Sequence, residues 1–194
     1  GGFKAQSEIG VAFKAGHPCY FIGFLPEPVP GQTIEDIVTA EAAFLDCCGS
    51  QTWARRMTDS RPFNTLEQLF ETAERTWFAL STADRLEAFA AHPKIGSTRS
   101  AASKKKQAAD WSAGEQSGVS AAGDDVKQEL AEANRLYENK FGFIFIVCAT
   151  GKSADEMLAV CRARTGNSVE TELKLAAAEQ WKITEIRLNK LLEK

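Results

Sequence analysis

The sequence predicts an all-α, single-domain bundle of about seven to eight helices with one short extended buried segment. Apolar residues recur at spacings of three and four over most of the chain from Thr33 onward, and capping signatures precede several of these stretches. The one strand-like run, FIFIVCA at 143–149, has no second run with which to pair. With 194 residues, 44% of them hydrophobic, the chain is long enough to bury one such core.

Composition argues against several classes of partner. The formal charge of −3 is spread over a composition with 25% charged residues, without a basic stripe, so neither nucleic acid nor membrane is expected as a partner. Five cysteines without C-x-x-C spacing fit reduced thiols, with no zinc or other metal site and no disulfides. The C-terminal LLEK differs from a peroxisomal SKL address. We therefore expect a cytoplasmic protein, with a peroxisomal location still open.

Residues 1–31 are predicted to form an N-terminal extension. They contain four prolines, end in LPEPVPG and show little periodicity, which is typical of an appendage rather than of a core segment. The helical domain is predicted to cover residues 32–194.

Helix signals follow one another through the first half of this domain. A Thr-x-x-Asp signature at 33–36 opens the first helix, and Gly49 ends it. The next periodic stretch covers 65–80. A Ser-x-x-Asp signature at 81–84 then begins a short helix that runs towards His92.

The second half contains three predicted helices. The first covers 124–140 and ends before Gly142. A Ser-x-x-Glu signature at 153–156 caps the next, which ends at Arg164, and the last and longest covers 168–192. Between the first two of these helices, FIFIVCA is predicted to be either a buried extended connector or the start of a helix.

His92, in the stretch AFAAHPKIGS, is the first candidate for chemistry. A single histidine at a helix end is more often a polar cap or a surface group than a catalyst. Pro93, however, disfavours helical geometry at His92 and lacks an N–H, so the imidazole projects from a stiff corner. Gly96 permits a tight turn that lets backbone approach a ligand. This corner is suited to preorganised acid–base chemistry.

The stretch SAGEQSG offers a second set of polar candidates, namely Ser112, Glu115 and Gln116. Ser-x-x-Glu is also the capping-box signature, and taken alone it favours a helix cap as the role of Glu115. The flanking glycines argue against a plain cap, because they weaken the helix that a cap would stabilise.

Arginines complete the candidate set. Arg187 lies on an inward-facing stripe of the last helix, where a guanidinium must be paired, face a polar cavity or extend its stem to solvent. Arg164, together with Arg162 and Asn167, is explained as well by a helix C-terminus, where basic residues complement the dipole. The residues alone thus predict a helical domain with a polar His/Glu/Arg cavity, suited to acid–base work on an anionic small molecule.

Five segments together resemble one family. They are RPF at 61–63, HPKIG at 92–96, SAGEQSG at 112–118, NRLYENKFGFIFIVCATGKS at 134–153 and ELKLAAAEQWKITEIRLNKLL at 172–192. In this order the chain resembles 2-oxo-4-hydroxy-4-carboxy-5-ureidoimidazoline (OHCU) decarboxylase from about Thr33 to Leu192. The resemblance implies an all-α carboxy-lyase of urate (purine) degradation that forms (S)-allantoin without a cofactor.

The resemblance also implies roles for particular residues. His92 is the catalytic histidine, with Glu115 beside it, and Arg187 is the active-site arginine, with Arg164 as the alternative. The residues implied in substrate binding are Pro93, Ser112, Glu115, Gln116 and the backbone of Phe145, Ile146, Val147, Cys148 and Ala149. The chain departs from the family pattern at RTGN (164–167), where leucine is common in second position, and in a polar insert at 97–111. A small-molecule substrate is implied, and a homodimer is expected.

Two rival hypotheses stay open at this stage. The first rival is a non-catalytic helical module that binds a ureide or a protein partner. The presence of His92, Glu115 and Gln116 counts against this rival. A second rival is cysteine chemistry at Cys148, which predicts inactivation by thiol reagents.

Overall fold

The computed structural model describes residues 34–95, 111 and 122–193. Within this part of the chain there are seven helices and no strand, which confirms the predicted all-α class. The predicted N-terminal extension at 1–31 lies outside the described residues. The helices are α1 Ile34–Cys48, α2 Gln51–Asp59, α3 Leu66–Phe78, α4 Thr82–Ala90, α5 Asp124–Phe141, α6 Ala154–Arg164 and α7 Val169–Leu192.

Side-chain caps begin four of the predicted helices. The Oγ atoms of Ser81 and Ser153 accept from the backbone N–H of the third helical residue, and the carboxylates of Asp84 and Glu156 complete both capping boxes. Ser168 caps α7 by accepting from the N–H of Thr171, and a threonine hydroxyl caps α3 in the same way. These local signals therefore place the helix starts correctly.

Helix α2 was not predicted, and this is a correction to the sequence analysis. Ser50 caps α2 by accepting from the N–H of Trp53 at 3.3 Å. The helix has 9 residues and exposes most of its polar positions, burying Trp53, Ala54, Met57 and Thr58. Such a short segment offers too few apolar repeats for its period to be recognised.

Helix α7 forms the centre of the bundle. The indole N–H of Trp77 on α3 donates to the carbonyl of Ala177 on α7 at 2.9 Å. The Gln180 amide on α7 donates to the carbonyl of Cys48 at the end of α1 at 3.2 Å. These bonds satisfy buried polar groups where the helices pack closely, so α1 and α3 are both fixed against α7.

The FIFIVCA run forms neither helix nor strand among the described residues, as predicted for a connector. It follows Gly142, whose φ of 76° closes α5, and six of its seven residues are buried. Tyr137 of α5 packs its ring against Phe141 and Phe145, with centroid distances of 4.6 and 5.2 Å. This aromatic contact anchors the start of the connector in the core.

The four described cysteines, Cys47, Cys48, Cys148 and Cys161, are buried and form no disulfide with one another. Burial raises the pKa of the Cys48 thiol to about 12 and that of Cys161 to about 11. These two thiols therefore stay protonated at neutral pH, as expected of structural cysteines.

Candidate active site

Helix α4 ends immediately before His92, as the Pro93 signal predicts. Ala91 is the C-terminal cap residue of α4, and the backbone N–H of His92 donates to the Phe89 carbonyl at 3.1 Å. His92 and Pro93 are both partly buried. The imidazole therefore projects from the end of a capped helix into the edge of the core.

The turn between α1 and α2 packs closely against the end of α4, next to His92. Gly49, between α1 and α2, has a φ of 85°, and a Cβ atom built there would lie 2.6 Å from the Ala91 Cβ and 3.3 Å from the Ala88 carbonyl oxygen. Only glycine fits this conformation and this approach. The α1–α2 turn thus packs directly against the end of the helix that carries His92.

The residues after His92 are tied to α5. The side-chain amide of Asn134 donates to the carbonyl of Ile95 at 3.0 Å, and Lys94 forms an ion pair with Glu138 at 2.6 Å. Asn134 is buried, so its bond holds Ile95 where water cannot replace it.

One pocket brings the histidine corner and the connector together. The cavity itself is small, about 20 Å³, and opens to solvent. The described lining residues are His92, Pro93, Ile95, Phe145, Ile146, Val147, Ala149, Thr150, Ile183 and Ile186. We call residues 145–149 the pocket wall. Six of the residues predicted from sequence therefore lie around one cavity.

Other predicted residues lie elsewhere or outside the described residues. Arg187 is buried on the inner face of α7 with Gln180 and Thr184, as the stripe predicts, but it does not line the pocket. Its charge acts on the neighbouring Cys48 thiol, where it opposes the rise in pKa caused by burial. Cys148 is buried and is also absent from the lining.

Four further residues of the sequence analysis cannot be placed in this geometry. Ser112, Glu115, Gln116 and Gly96 lie outside the described residues. Their roles stay predictions.

A buried charged network lies behind the pocket wall. The Arg164 guanidinium donates through Nε to Glu172 Oε1 at 2.8 Å and through Nη1 to the Ile146 carbonyl at 2.9 Å. Nη2 also contacts Glu172 Oε1 at 2.5 Å, as an ion-pair contact rather than a well-directed hydrogen bond. The guanidinium lies 5.0 Å from the Phe145 ring centroid. Arg164 therefore contacts the wall from the side of the core.

Glu172 is the centre of that network. It is fully buried, and it accepts hydrogen bonds from the Tyr137 hydroxyl and from the Asn167 amide as well as from Arg164. Burial, and then the bond to Glu172, raise the pKa of Tyr137 above its usual range. Several donors thus stabilise a buried carboxylate that would be very costly alone.

A second support holds the other end of the wall. The backbone N–H of Cys148 donates to Glu179 Oε2 at 2.8 Å, and the Lys152 ammonium donates to the Cys148 carbonyl at 2.7 Å. Burial by itself would raise the pKa of Glu179, but the bonds from Lys182 and from the Cys148 amide outweigh it and lower that pKa. The sequence analysis missed Glu179 and the pairing of Arg164, since no local motif marks either.

Within the described ranges, no cluster of three or more His, Cys, Asp or Glu side chains has the arrangement of a metal site. None of the seven described helices is both long enough and apolar enough to cross a bilayer. The chemistry available in the pocket is that of an imidazole, backbone peptide groups and apolar surface, a set suited to proton transfer.

The described residues form an all-helical bundle in which His92 and residues of 145–149 line one pocket. This places the chain in the class of small all-α proteins with a histidine at a cavity. The sequence profile described as OHCU decarboxylase matches residues 36–189. The chain belongs to the OHCU decarboxylase family. A second profile, described as a protein of unknown function (DUF3141), matches residues 1–63 and so overlaps the first over residues 36–63.

Individual relatives agree with the family. A uric acid degradation bifunctional protein of Arabidopsis thaliana is 46% identical over 147 residues, which cover 75% of this chain and 45% of the plant protein. A Haloferax volcanii protein named 2-oxo-4-hydroxy-4-carboxy-5-ureidoimidazoline decarboxylase is 28% identical over 155 residues, covering 75% of this chain and 87% of the relative. The chain thus spans less than half of the plant protein and most of the Haloferax one.

A solved structure shares the fold. It is a crystal structure of OHCU decarboxylase in the presence of (S)-allantoin, 41% identical to this chain. The alignment covers 79% of this chain and 99% of that one, with a TM-score of 0.68.

Proposed function

We propose that this protein catalyses the cofactor-independent decarboxylation of OHCU to (S)-allantoin in urate degradation. The observation that carries the proposal is that the His92 corner and residues of the wall at 145–149 line the same pocket, in a chain of this family. The reaction is that of a carboxy-lyase. Its substrate is a small anionic molecule.

The chemistry needs two events at neighbouring carbons. The bond between the hydroxyl-bearing ring carbon and its carboxylate breaks, carbon dioxide leaves, and the electron pair is delocalised into the adjacent ring C=N bond as an enol-like system. A proton then adds to the neighbouring carbon that bears the ureido group, and the hydroxyl group loses its proton to become the ring carbonyl of allantoin. The ring itself accepts the electrons, so the proposal requires no electron-sink cofactor.

The wall and the corner divide these tasks. We assign proton delivery to the His92 imidazole, because it projects from a fixed corner into the pocket. We assign contact with the substrate ring to the peptide groups of Val147 and Ala149, two residues that line the same pocket. Glu115, as the partner that orients His92, and Arg187, as a source of positive charge, belong to the proposal as predictions from the resemblance.

The direct test is activity on freshly generated OHCU. The purified protein should speed the disappearance of OHCU far beyond its spontaneous decay and should produce optical rotation of the sign of (S)-allantoin. A treatment with excess chelator should leave the rate unchanged, because the proposed mechanism uses no metal. Racemic product formed at the spontaneous rate would contradict the proposal.

The two rivals give different results in the same assay. A non-catalytic ureide-binding module would bind allantoin without turnover. Cysteine chemistry at Cys148 would be abolished by Cys148→Ser, whereas the proposed mechanism uses only the backbone there and predicts activity close to wild type. We expect near-wild-type activity in Cys148→Ser, because Cys148 is buried and access to its thiol is limited.

The proposal also includes the oligomeric state of the protein and its cellular compartment. A homodimer in the cytoplasm is the expected state, and light scattering on the purified protein measures the number of chains directly.

A further inference from the structure

The wall residue Cys148 is bonded to side chains through both of its backbone polar groups. Its N–H donates to Glu179 of α7 at 2.8 Å, and its carbonyl accepts from Lys152 at 2.7 Å. Neither Glu179 nor Lys152 belongs to the pocket lining. Both bonds therefore act on the wall from outside the cavity.

A third bond holds the wall two residues earlier. Arg164 donates to the carbonyl of Ile146 at 2.9 Å. The Ile146 carbonyl and both backbone polar groups of Cys148 are thus bonded to side chains that do not line the pocket. Among the described residues, no group accepts a hydrogen bond from the N–H of Val147. Val147 and Ala149, the two neighbours of Cys148, line the pocket, as do Phe145 and Ile146.

Glu179 lies on the stripe of α7 that meets the pocket. Ile183 and Ile186, which follow it at spacings of four and three residues, both line the cavity. The Glu179 carboxylate is itself held by an ion pair with Lys182 at 2.5 Å, and only 17% of its side chain is exposed. A pre-oriented carboxylate at this position links the rigid central helix to the wall.

We infer that Glu179 is a positioning residue of the active site, whose carboxylate holds the Cys148 N–H and so keeps the wall in the register that presents Val147 and Ala149 to the substrate. This inference rests on the proposed function and adds to it a residue that does not touch the substrate. Displacement of a wall by about 1 Å can cost about 10²-fold in rate, because the reacting groups lose their alignment. Displacement of the wall would also let the decarboxylated intermediate rotate in the pocket, so that it could be protonated on either face.

Four variants separate the hydrogen bond from the charge and from the fold. Glu179→Met removes the acceptor and keeps much of the volume, with Glu179→Ala as a second version in case the methionine variant does not fold. Glu179→Gln keeps an acceptor oxygen and loses the charge. Glu170→Met is the matched control, because Glu170 also lies on α7 and pairs with a lysine, Lys174 at 2.7 Å, but is exposed and far from the wall in sequence.

The readouts are kcat, KM and the enantiomeric excess of allantoin, at enzyme amounts adjusted to equal rates, with thermal melts as a folding control. For folded Glu179→Met or Glu179→Ala we expect kcat to fall about 10–100-fold with a smaller change in KM, and the excess of (S)-allantoin to fall. The kcat of Glu179→Gln should stay within about threefold of the wild-type value, and the kcat of Glu170→Met should equal the wild-type value.

Other results overturn the inference. Wild-type kcat and enantiomeric excess in the methionine and alanine variants would show that the bond does not position the wall. Equal losses in the glutamine variant, or in Glu170→Met, would assign the effect to charge or to α7 in general. A wild-type protein that does not accelerate OHCU loss overturns the proposed function and this inference with it, whereas an active wild type with an insensitive Glu179 overturns the inference alone.

Discussion

The two sides of the pocket are built by different means. The His92 corner begins with local signals, the capping box of α4 and Pro93, and is then packed against the α1–α2 turn and bonded to α5. The wall at 145–149 has no regular secondary structure and is held by side chains of Arg164 and Glu179, which come from later helices. The helix end that carries the proposed proton donor is thus marked in the local sequence, whereas the position of the wall depends on long-range bonds.

The largest effect on turnover is expected at the corner. His92→Asn removes the proposed proton donor and should lower kcat by about 10²–10⁴-fold, while the melting temperature stays close to wild type because the side chain is only partly buried. Steady-state kinetics on OHCU, with thermal melts alongside, measure both. If turnover survived, the corner would be a structural helix end and the difference between the two sides would vanish.

The largest effect on stability is expected behind the wall. Arg164→Met leaves the fully buried Glu172 without its cation and should lower the free energy of unfolding by about 3–5 kcal/mol. Urea unfolding provides the measurement. Arg162→Met is the matched control on the same helix, because Arg162 pairs with Glu129 at 2.7 Å on the exposed surface, where such a pair contributes little. Equal losses in both variants would argue against a special role for the buried network.

A smaller effect is expected from the helix that supports the corner. Ser81→Ala removes the side-chain half of the α4 capping box and should cost about 1 kcal/mol of stability. At saturating substrate the turnover should be nearly unchanged, because His92 stands at the other end of the helix. Denaturant titration and kcat together check this, and a large loss of turnover would show that the corner is less rigid than its local signals indicate.

The smallest effect is a pH dependence at the wall. The pKa of Glu179 is lowered in the folded protein, so its stabilising contribution is present above the ordinary carboxyl pKa and is lost as the pH falls through the lowered value. The difference in unfolding free energy between wild type and Glu179→Gln should therefore be larger at neutral pH than in acid. A difference that grows on acidification would have the wrong sign for a charge-stabilised carboxylate.

Local signals explain how much could be predicted from sequence. The caps at Ser81, Ser153 and Ser168 act within three residues, so the pattern alone places three helix starts. His92 and the wall were identified as candidate residues, and the structure brings them around one pocket.

The supports of the wall were not predictable in this way. Glu179 and Cys148 are 31 residues apart, and Arg164 and Ile146 are 18 apart, so no periodicity or motif encodes their bonds. Helix α2 was missed because 9 residues carry too little of a repeat. In each case the structure depends on tertiary contacts that a single sequence does not display.

The central claim is that substrate and product bind between the His92 corner and the wall. Titration of isotope-labelled protein with (S)-allantoin, followed by NMR, tests it residue by residue. We expect the amide signals of Val147 and Ala149 and the ring signals of His92 to shift with one common affinity. The signals of residues in the exposed groove between α5 and α6, such as Leu136, should not shift. Shifts confined to that groove, with none at His92 or the wall, would contradict the account.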